Sequence, residues 1–151
     1  MVLMERALEM EIRKAEIDDF TGVFELVKAL WDYNEYEYNK TFVIYSKIIV
    51  AENTFAYVVV DAAEIVGFCH GDFFQTLWMC GMTCYLSGII TRSDHRRKGV
   101  GKLMMNHVKA NAHDYGCKAM ILDSGIPRSG AHEFYQKYGF EKSCYGFEMA
   151  I

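Results

Sequence analysis

The sequence predicts an α/β domain in which a mixed β-sheet carries helices on both faces. Three observations lead there. Some apolar residues recur at helical spacing, whereas other runs are alternating or β-branched in the manner of strands. Hairpin-like strand pairs fill the middle of the chain, and strand–helix–strand units fill its C-terminal half. The chain has 151 residues, 52% of them apolar and 24% charged, enough for one domain with a real core and too apolar for a disordered tail. A single domain over residues 1–151 is therefore expected.

Each element can be justified in order. Residues 11–15 read as a short strand. Phe20, Val23, Phe24, Val27, Leu30 and Trp31 share a helical face, and Asp18 or Asp19 can accept the unpaired amides of its first turn. A second helix is expected within residues 36–49. Residues 54–60 and 65–72 are β-rich runs joined by Asp61-Ala62-Ala63-Glu64, a hairpin pattern.

Residues 73–91 carry no charge, close to the length of a membrane-crossing helix. Gln75, Thr76, Gly81, Thr83, Ser87 and Gly88 interrupt them, and their Cys, Thr and Tyr content favours strand. They read as a strand end, a turn near Cys80-Gly81 and a further strand over 83–91, so no membrane partner is expected. Val100, Leu103, Met104, His107 and Val108 predict a helix from about Gly99 to Tyr115, stopped by Gly116. Residues 119–123 form a short buried strand. Ala131, Phe134, Tyr135 and Tyr138 give a last helix ended by Gly139, and residues 141–151 read as a final strand. The predicted order is β-α-α-β-β-β-α-β-α-β.

Sixteen Lys and Arg stand against twenty Asp and Glu, a net charge of -4, so no nucleic-acid partner is expected. Yet Arg92, Arg96, Arg97, Lys98 and Lys102 fall in one short window. A basic island in an acidic chain points to a defined anionic ligand. The five Cys are odd in number, form no C-x-x-C and lack the His pair that would complete a zinc set. They read as buried, reduced thiols of a cytoplasmic protein, with no metal site. His95, His107, His113 and His132 show no ligand spacing and read as structural or exposed. Residues 1–11 are interrupted by Glu5, Arg6 and Glu9 and lack an apolar signal-peptide centre, with Met10 as a natural start.

The informative element is Arg96-Arg97-Lys98-Gly99-Val100-Gly101-Lys102, between a strand and a helix. A helix start leaves backbone N–H groups unpaired and bears partial positive charge. Glycine there lets the backbone approach an anion, and Arg and Lys add countercharge. The Walker loop fails, because Arg96 replaces its first Gly and Leu103 its hydroxyl residue. The dinucleotide fingerprint fails at Met104.

What remains, Arg-x-x-Gly-x-Gly met by Arg96, Gly99 and Gly101, resembles the pyrophosphate loop of the GNAT acetyltransferase superfamily. Downstream, Ala131, Phe134, Tyr135, Gly139 and Phe140 look like that family's Ala-x-x-Phe-Tyr-x-x-x-Gly-Phe helix and turn. The preceding Ser124, Gly125 and Arg128 resemble a variant of its small-molecule members. The resemblance covers residues 11–151.

It implies a twisted, mostly antiparallel sheet of about six to seven strands, with central parallel strands containing Ile89 and Ile121 splayed apart to admit a thioester. It implies acetyl-CoA as the cofactor. Backbone groups of Ile89, Ile90 and Thr91 would hold the pantetheine arm. Arg96, Arg97, Lys98, Gly99, Val100, Gly101 and Lys102 would hold the pyrophosphate, with Ser124, Arg128, Ala131 and Tyr135 completing the coenzyme site. The implied reaction is direct attack of a primary amine, from a small molecule or peptide, on the acetyl group. An alkylamine has a pKa of about 10.4, so something must take its proton. Tyr135 matches the residue that returns a proton to the departing thiolate.

One position departs from the pattern. Many members carry a Glu base in the strand before the loop, and Ser87 stands there instead. His70 and Asp72, on one strand face, are candidate bases, as are Glu35 and Glu37. The aromatic and acidic stretch at residues 31–38, with Trp31, Tyr33, Glu35 and Tyr36, falls where the family lines its acceptor site, and suits a cationic acceptor. A non-catalytic acyl-CoA-binding module is the alternative that Ser87 favours. The apolar run at residues 145–151 suggests an open sheet edge and a homodimer.

Overall fold

The computed structural model describes residues 10–151, so the reading of residues 1–9 lies outside the described residues. Contacts divide the chain after Ile121 into two units.

In the first unit the sheet is the organising element. Its strands are β1 (Glu11–Lys14), β2 (Thr54–Asp61), β3 (Glu64–Thr76), β4 (Gly81–Thr91) and β5 (Ala119–Leu122), in spatial order β1-β2-β3-β4-β5. β1 to β4 pair antiparallel. The β2–β3 turn places Ala62 and Ala63 at φ 49° and 64°, tight left-handed geometry. Lys118 N donates to Met82 O at 2.9 Å, so β5 begins beside the foot of β4.

The helices are α1 (Phe20–Leu30), α2 (Tyr38–Ile48) and α3 (Val100–Asp114) in this unit, and α4 (Ser129–Tyr138) in the second. The uncharged stretch at 73–91 is the end of β3, a turn at 77–80 and the whole of β4, and no described helix is long and apolar enough to cross a membrane.

Faces follow from the pleat. Phe68, His70 and Asp72 of β3 share one face, and Gly67, Cys69, Gly71 and Phe73 the other; at Val66 the pairing with β2 slips by one residue, so Ile65 joins the first face. The first face carries α1 and α2 through a core of Phe20, Val23, Phe24, Leu30, Tyr45, Ala56, Val58, Phe68 and Ile90. Phe20 lies 4.8 Å from Tyr38, 5.1 Å from Phe42 and 5.1 Å from Tyr45 between ring centroids. Such pairs add about 0.5–1.5 kcal/mol beyond area burial. The Tyr45 hydroxyl donates to Glu16 O at 2.6 Å, so the ring is also pinned at its polar end.

A bidentate Arg13–Asp19 pair, at 2.7 and 2.9 Å, ties β1 to the turn before α1. Burial opposes the Asp19 charge, but Arg13 and the Glu16 N–H overcome it and hold its pKa below the ordinary value. The opposite face carries α3 through Val100, Met104, Met105 and Val108, all almost fully buried.

Two expectations need correction. Residues 141–151 form no strand and are exposed, so the sheet has five strands among the described residues rather than six or seven. β5 is accordingly the edge of the sheet, not a central strand. A run of apolar residues supplies the pattern of a strand, but a strand needs a partner for its backbone. The five thiols are free, yet only Cys69 and Cys84 are buried, while Cys80 and Cys144 are exposed. Burial pushes the Cys84 thiol up to about 12.

The sheet has a marked irregularity. His70 pairs with Gly88 but Gly71 with Leu86, so Ser87 is an extra residue on β4. Beside this bulge, a Cβ on Gly71 would lie 2.0 Å from Tyr85 O. Gly71→Ala should therefore cost about 3 kcal/mol of stability. Gly130→Ala, with open space within 4 Å on α4, should be neutral or gain about 0.5 kcal/mol. Paired urea melts check the contrast, and equal midpoints for the two variants would refute the bulge constraint.

Candidate functional site

The basic loop is built by a change of direction between β4 and α3. After Thr91 the chain makes a 3₁₀ turn at Ser93–His95 and a further turn through residues 96–99. Arg97 has φ 62° and Gly99, the N-cap of α3, has φ 83°. A non-glycine residue in the left-handed region costs about 1 kcal/mol, a strain that clusters at functional turns. Gly99 escapes that cost, and a Cβ there would meet nothing within 4 Å.

The first bond of α3 runs from Leu103 N to Gly99 O at 2.9 Å. The amides of Val100, Gly101 and Lys102 therefore have no acceptor within the helix, and no side chain caps this end. Val100 anchors the turn against β3, where a Cβ on Gly67 would lie 2.8 Å from Val100 Cγ1. The glycine allows that close approach, so the helix start is held firmly over the sheet. Arg96, Arg97, Lys98 and Lys102 are exposed, and none pairs with a carboxylate among the described residues. This arrangement of free amides and uncommitted cations suits a phosphate-type anion.

Arg92 does not belong to that surface. Its guanidinium donates to Asp94 at 2.7 and 3.0 Å and to Glu64 at 2.9 Å. The basic island is thus one cation smaller than its sequence suggests. His95, read from sequence as structural or exposed, is bonded to two carboxylates, Asp61 and Asp94. No spacing signals this, because Asp61 is 34 residues away in sequence.

A second cluster lies at the bulge. Gly88 faces α1, where a Cβ would lie 3.1 Å from both Leu30 and Trp31 side chains. His70, opposite Gly88, stacks on Phe68 with centroids 5.5 Å apart and meets Trp31 edge-on at 6.2 Å. Burial lowers the His70 pKa below its ordinary value, against an opposing pull from Asp72. The ring is therefore neutral near neutral pH and able to accept a proton.

The structure thus brings together Trp31, His70 and Ser87's bulge, with Asp72 on the same face of β3. It does not gather the whole of residues 31–38. Tyr33 and Glu35 are exposed, Tyr36 packs on the apolar core, and Glu37 pairs with Lys40 at 3.2 Å. Of the three residues ending β4, Ile90 packs into the core, whereas Ile89 and Thr91 pair with residues of the α3 face.

In the second unit, Arg128 N donates to Gly125 O at 3.0 Å, and α4 starts at Ser129. Ser124, Arg128, Ala131 and Tyr135 are all half-buried. Tyr135 packs against Phe134 at 5.7 Å and Phe140 at 6.1 Å. Burial raises its pKa, with Arg128 pulling the other way, so the phenol stays protonated.

Residues 13–140 match the acetyltransferase (GNAT) family. Human N-acetyltransferase 8 is 38% identical over 55 residues, covering 36% of this chain and 24% of its own. The uncharacterized N-acetyltransferase YhdJ of Bacillus subtilis is 31% identical over 72 residues, covering 47% of this chain and 51% of its own. The matches therefore span about half or less of these relatives. In fold, the chain is similar to a transcriptional regulator from Bacillus halodurans C-125, with TM-score 0.86, 24% identity and coverage of 94% and 99%. It is also similar to the aminoglycoside N-acetyltransferase AAC(6')-Iy in complex with CoA, with TM-score 0.83, 19% identity and coverage of 94% of each chain.

Proposed function

Because this chain belongs to the acetyltransferase (GNAT) family, we propose that it transfers an acetyl group from acetyl-CoA to a primary amine of a small molecule or peptide. The loop at residues 96–102 carries this reading, since its open amides and exposed cations fit a pyrophosphate. Acetyl-CoA, when bound, supplies an acetyl thioester on a pyrophosphate-bearing handle. The amides of Val100, Gly101 and Lys102, with Arg96, Arg97 and Lys98, hold the pyrophosphate. Backbone groups at Ile89, Ile90 and Thr91 hold the pantetheine arm. Trp31 offers an aromatic face to a cationic acceptor.

His70 is the proposed base. The Nε2 or Nδ1 lone pair of its neutral ring takes the proton that the acceptor amine must lose. Ser87, in the place of the usual carboxylate, has no such capacity. Tyr135 Oη, protonated at neutral pH, is the proposed donor to the departing sulfur. A non-catalytic acyl-CoA-binding module is the second reading, and Ser87 is the observation that favours it.

Gly101→Val should place a branched side chain among the amides that meet the anion. The expected outcome is at least about a hundredfold weaker coenzyme A binding by calorimetry. The melting temperature should change little, since valine costs under about 1 kcal/mol in a helix. Unchanged affinity would move the anion site elsewhere.

Thiol release with a panel of amines tests the chemistry. Tyr135→Phe should lower kcat by at least about tenfold, and His70→Gln by about 10²–10⁴-fold, with little change in KM for acetyl-CoA. The His70 pKa is lowered, so its basic form is lost only as pH falls below about 6.5, and that acidic limb should vanish in His70→Gln. A retained limb would remove His70 from the reaction. Coenzyme binding without thiol release from any amine would favour the binding module.

Assembly as a homodimer is part of the same proposal. Tyr145, Phe147 and Met149 alternate along the chain and are 83%, 95% and 83% exposed, and pairing with a second copy would give the backbone of this run the partner that a strand needs. Light scattering at micromolar concentration should give twice the chain mass, and a monomer would refute it.

A further inference from the structure

His95 is held between two carboxylates from different parts of the chain. Its Nε2 lies 2.8 Å from Asp61 Oδ2 at the end of β2, and its Nδ1 lies 2.8 Å from Asp94 Oδ1. A neutral imidazole has one N–H and one lone pair, so it can donate to only one of them. The other nitrogen would then present its lone pair to a carboxylate oxygen. The imidazolium donates to both. The side chain is only 12% exposed, so solvent can do little to relieve the mismatch.

The surrounding charges come from every adjoining segment. Asp61 ends β2 and Glu64 begins β3. Arg92 and Asp94 follow β4, and Lys98 lies in the basic loop. Arg92 joins Asp94 to Glu64, so the chain Asp61–His95–Asp94–Arg92–Glu64 closes over the β2–β3 turn. The hydrogen bonds to Asp94 and then Asp61 raise the His95 pKa above its ordinary value, while partial burial and Lys98 oppose them. Arg96 and Arg97 follow His95 directly. The network therefore fastens the start of the loop to the hairpin.

We infer that His95 is a positioning residue: clamped as an imidazolium between Asp61 and Asp94, it fixes the loop of residues 96–102 for anion binding and makes that binding weaken as pH rises. The inference rests on the proposed role of the loop in holding the coenzyme pyrophosphate. The clamp itself can be observed with no ligand present. Its sign follows from the raised folded value. The clamp is complete below about pH 6.5 and comes apart as pH rises through the folded-state pKa. Deprotonation also withdraws a positive charge beside the loop, so both effects act in one direction. The 3′-phosphate of coenzyme A gains charge over a similar range and acts in the opposite direction. The probe is therefore dephospho-coenzyme A, which lacks that group.

The experiment uses the full chain, labelled with nitrogen-15 and titrated from about pH 5.5 to about pH 9. The His95 ring resonances should titrate with a midpoint above about 6.5, and the Gly99 and Gly101 amides should follow that midpoint. Asp61→Asn keeps the shape and removes one carboxylate charge, so it should lower both midpoints together. His95→Gln should abolish the amide titration. In calorimetry, the Kd for dephospho-coenzyme A should rise about three- to tenfold across this range in the wild type and stay nearly flat in His95→Gln. Amides that ignore the His95 midpoint, or an equal pH slope in His95→Gln, would overturn the inference. Amides that follow His95 in a chain binding no coenzyme at any pH would uphold the clamp and refute the pyrophosphate reading instead.

Discussion

The extra residue at Ser87 is the constraint on which the first unit's arrangement depends. Strand side chains alternate, so a single inserted residue exchanges the two faces of everything beyond it. Cys84 and Leu86 pair with Phe73 and Gly71 on the α3 face. Past Ser87 the phase changes, and Gly88 and Ile90 pair with His70 and Phe68 on the α1 face. Without that change Ile90 would leave the core it shares with Phe20, Val23 and Phe68. The bulge also demands small residues around it. Gly71 has no room for a Cβ beside Tyr85 O, and Gly88 lets Leu30 and Trp31 come close to the sheet.

That close approach has a chemical consequence. Leu30 ends α1 and Trp31 follows it, so closing this helix onto Gly88 brings the indole against the His70 ring. The imidazole then stacks on Phe68 and lies nearly perpendicular to the Trp31 indole. Removing water from an imidazole disfavours its charged form. The same packing thus surrounds the His70 ring at the bulge and lowers its pKa.

His95 has the opposite fate for the same physical reasons. It too loses water, but Asp61 and Asp94 reach both of its nitrogens and favour the charged form. Two histidines 25 residues apart therefore have their pKa values moved in opposite directions, His70 down by burial and His95 up by its two carboxylates. His95 stands where the chain leaves the sheet for the loop. Arg92 commits its charge to the same network, which leaves Arg96, Arg97, Lys98 and Lys102 as the exposed cations of the loop.

Much of this is legible in the residues themselves. Helical periodicity located α1, α3 and α4 to within a few residues, and Gly116 and Gly139, at φ 81° and 125°, end two of them as their type suggests. The Gly99 and Gly101 pair between a strand and a helix marks the loop of open amides, because unpaired amides at a helix start are a local property. Tertiary structure decided the rest. Whether residues 141–151 pair as a strand depends on a neighbouring edge, not on their own alternation. The Ser87 bulge depends on the register between β3 and β4, which neither strand encodes alone. The surroundings of His70 and His95 include Trp31 and Asp61, 39 and 34 residues away. Periodicity and caps act over one or two turns of chain, whereas the charge state of a histidine is set by whatever the fold brings within a few ångströms of its ring.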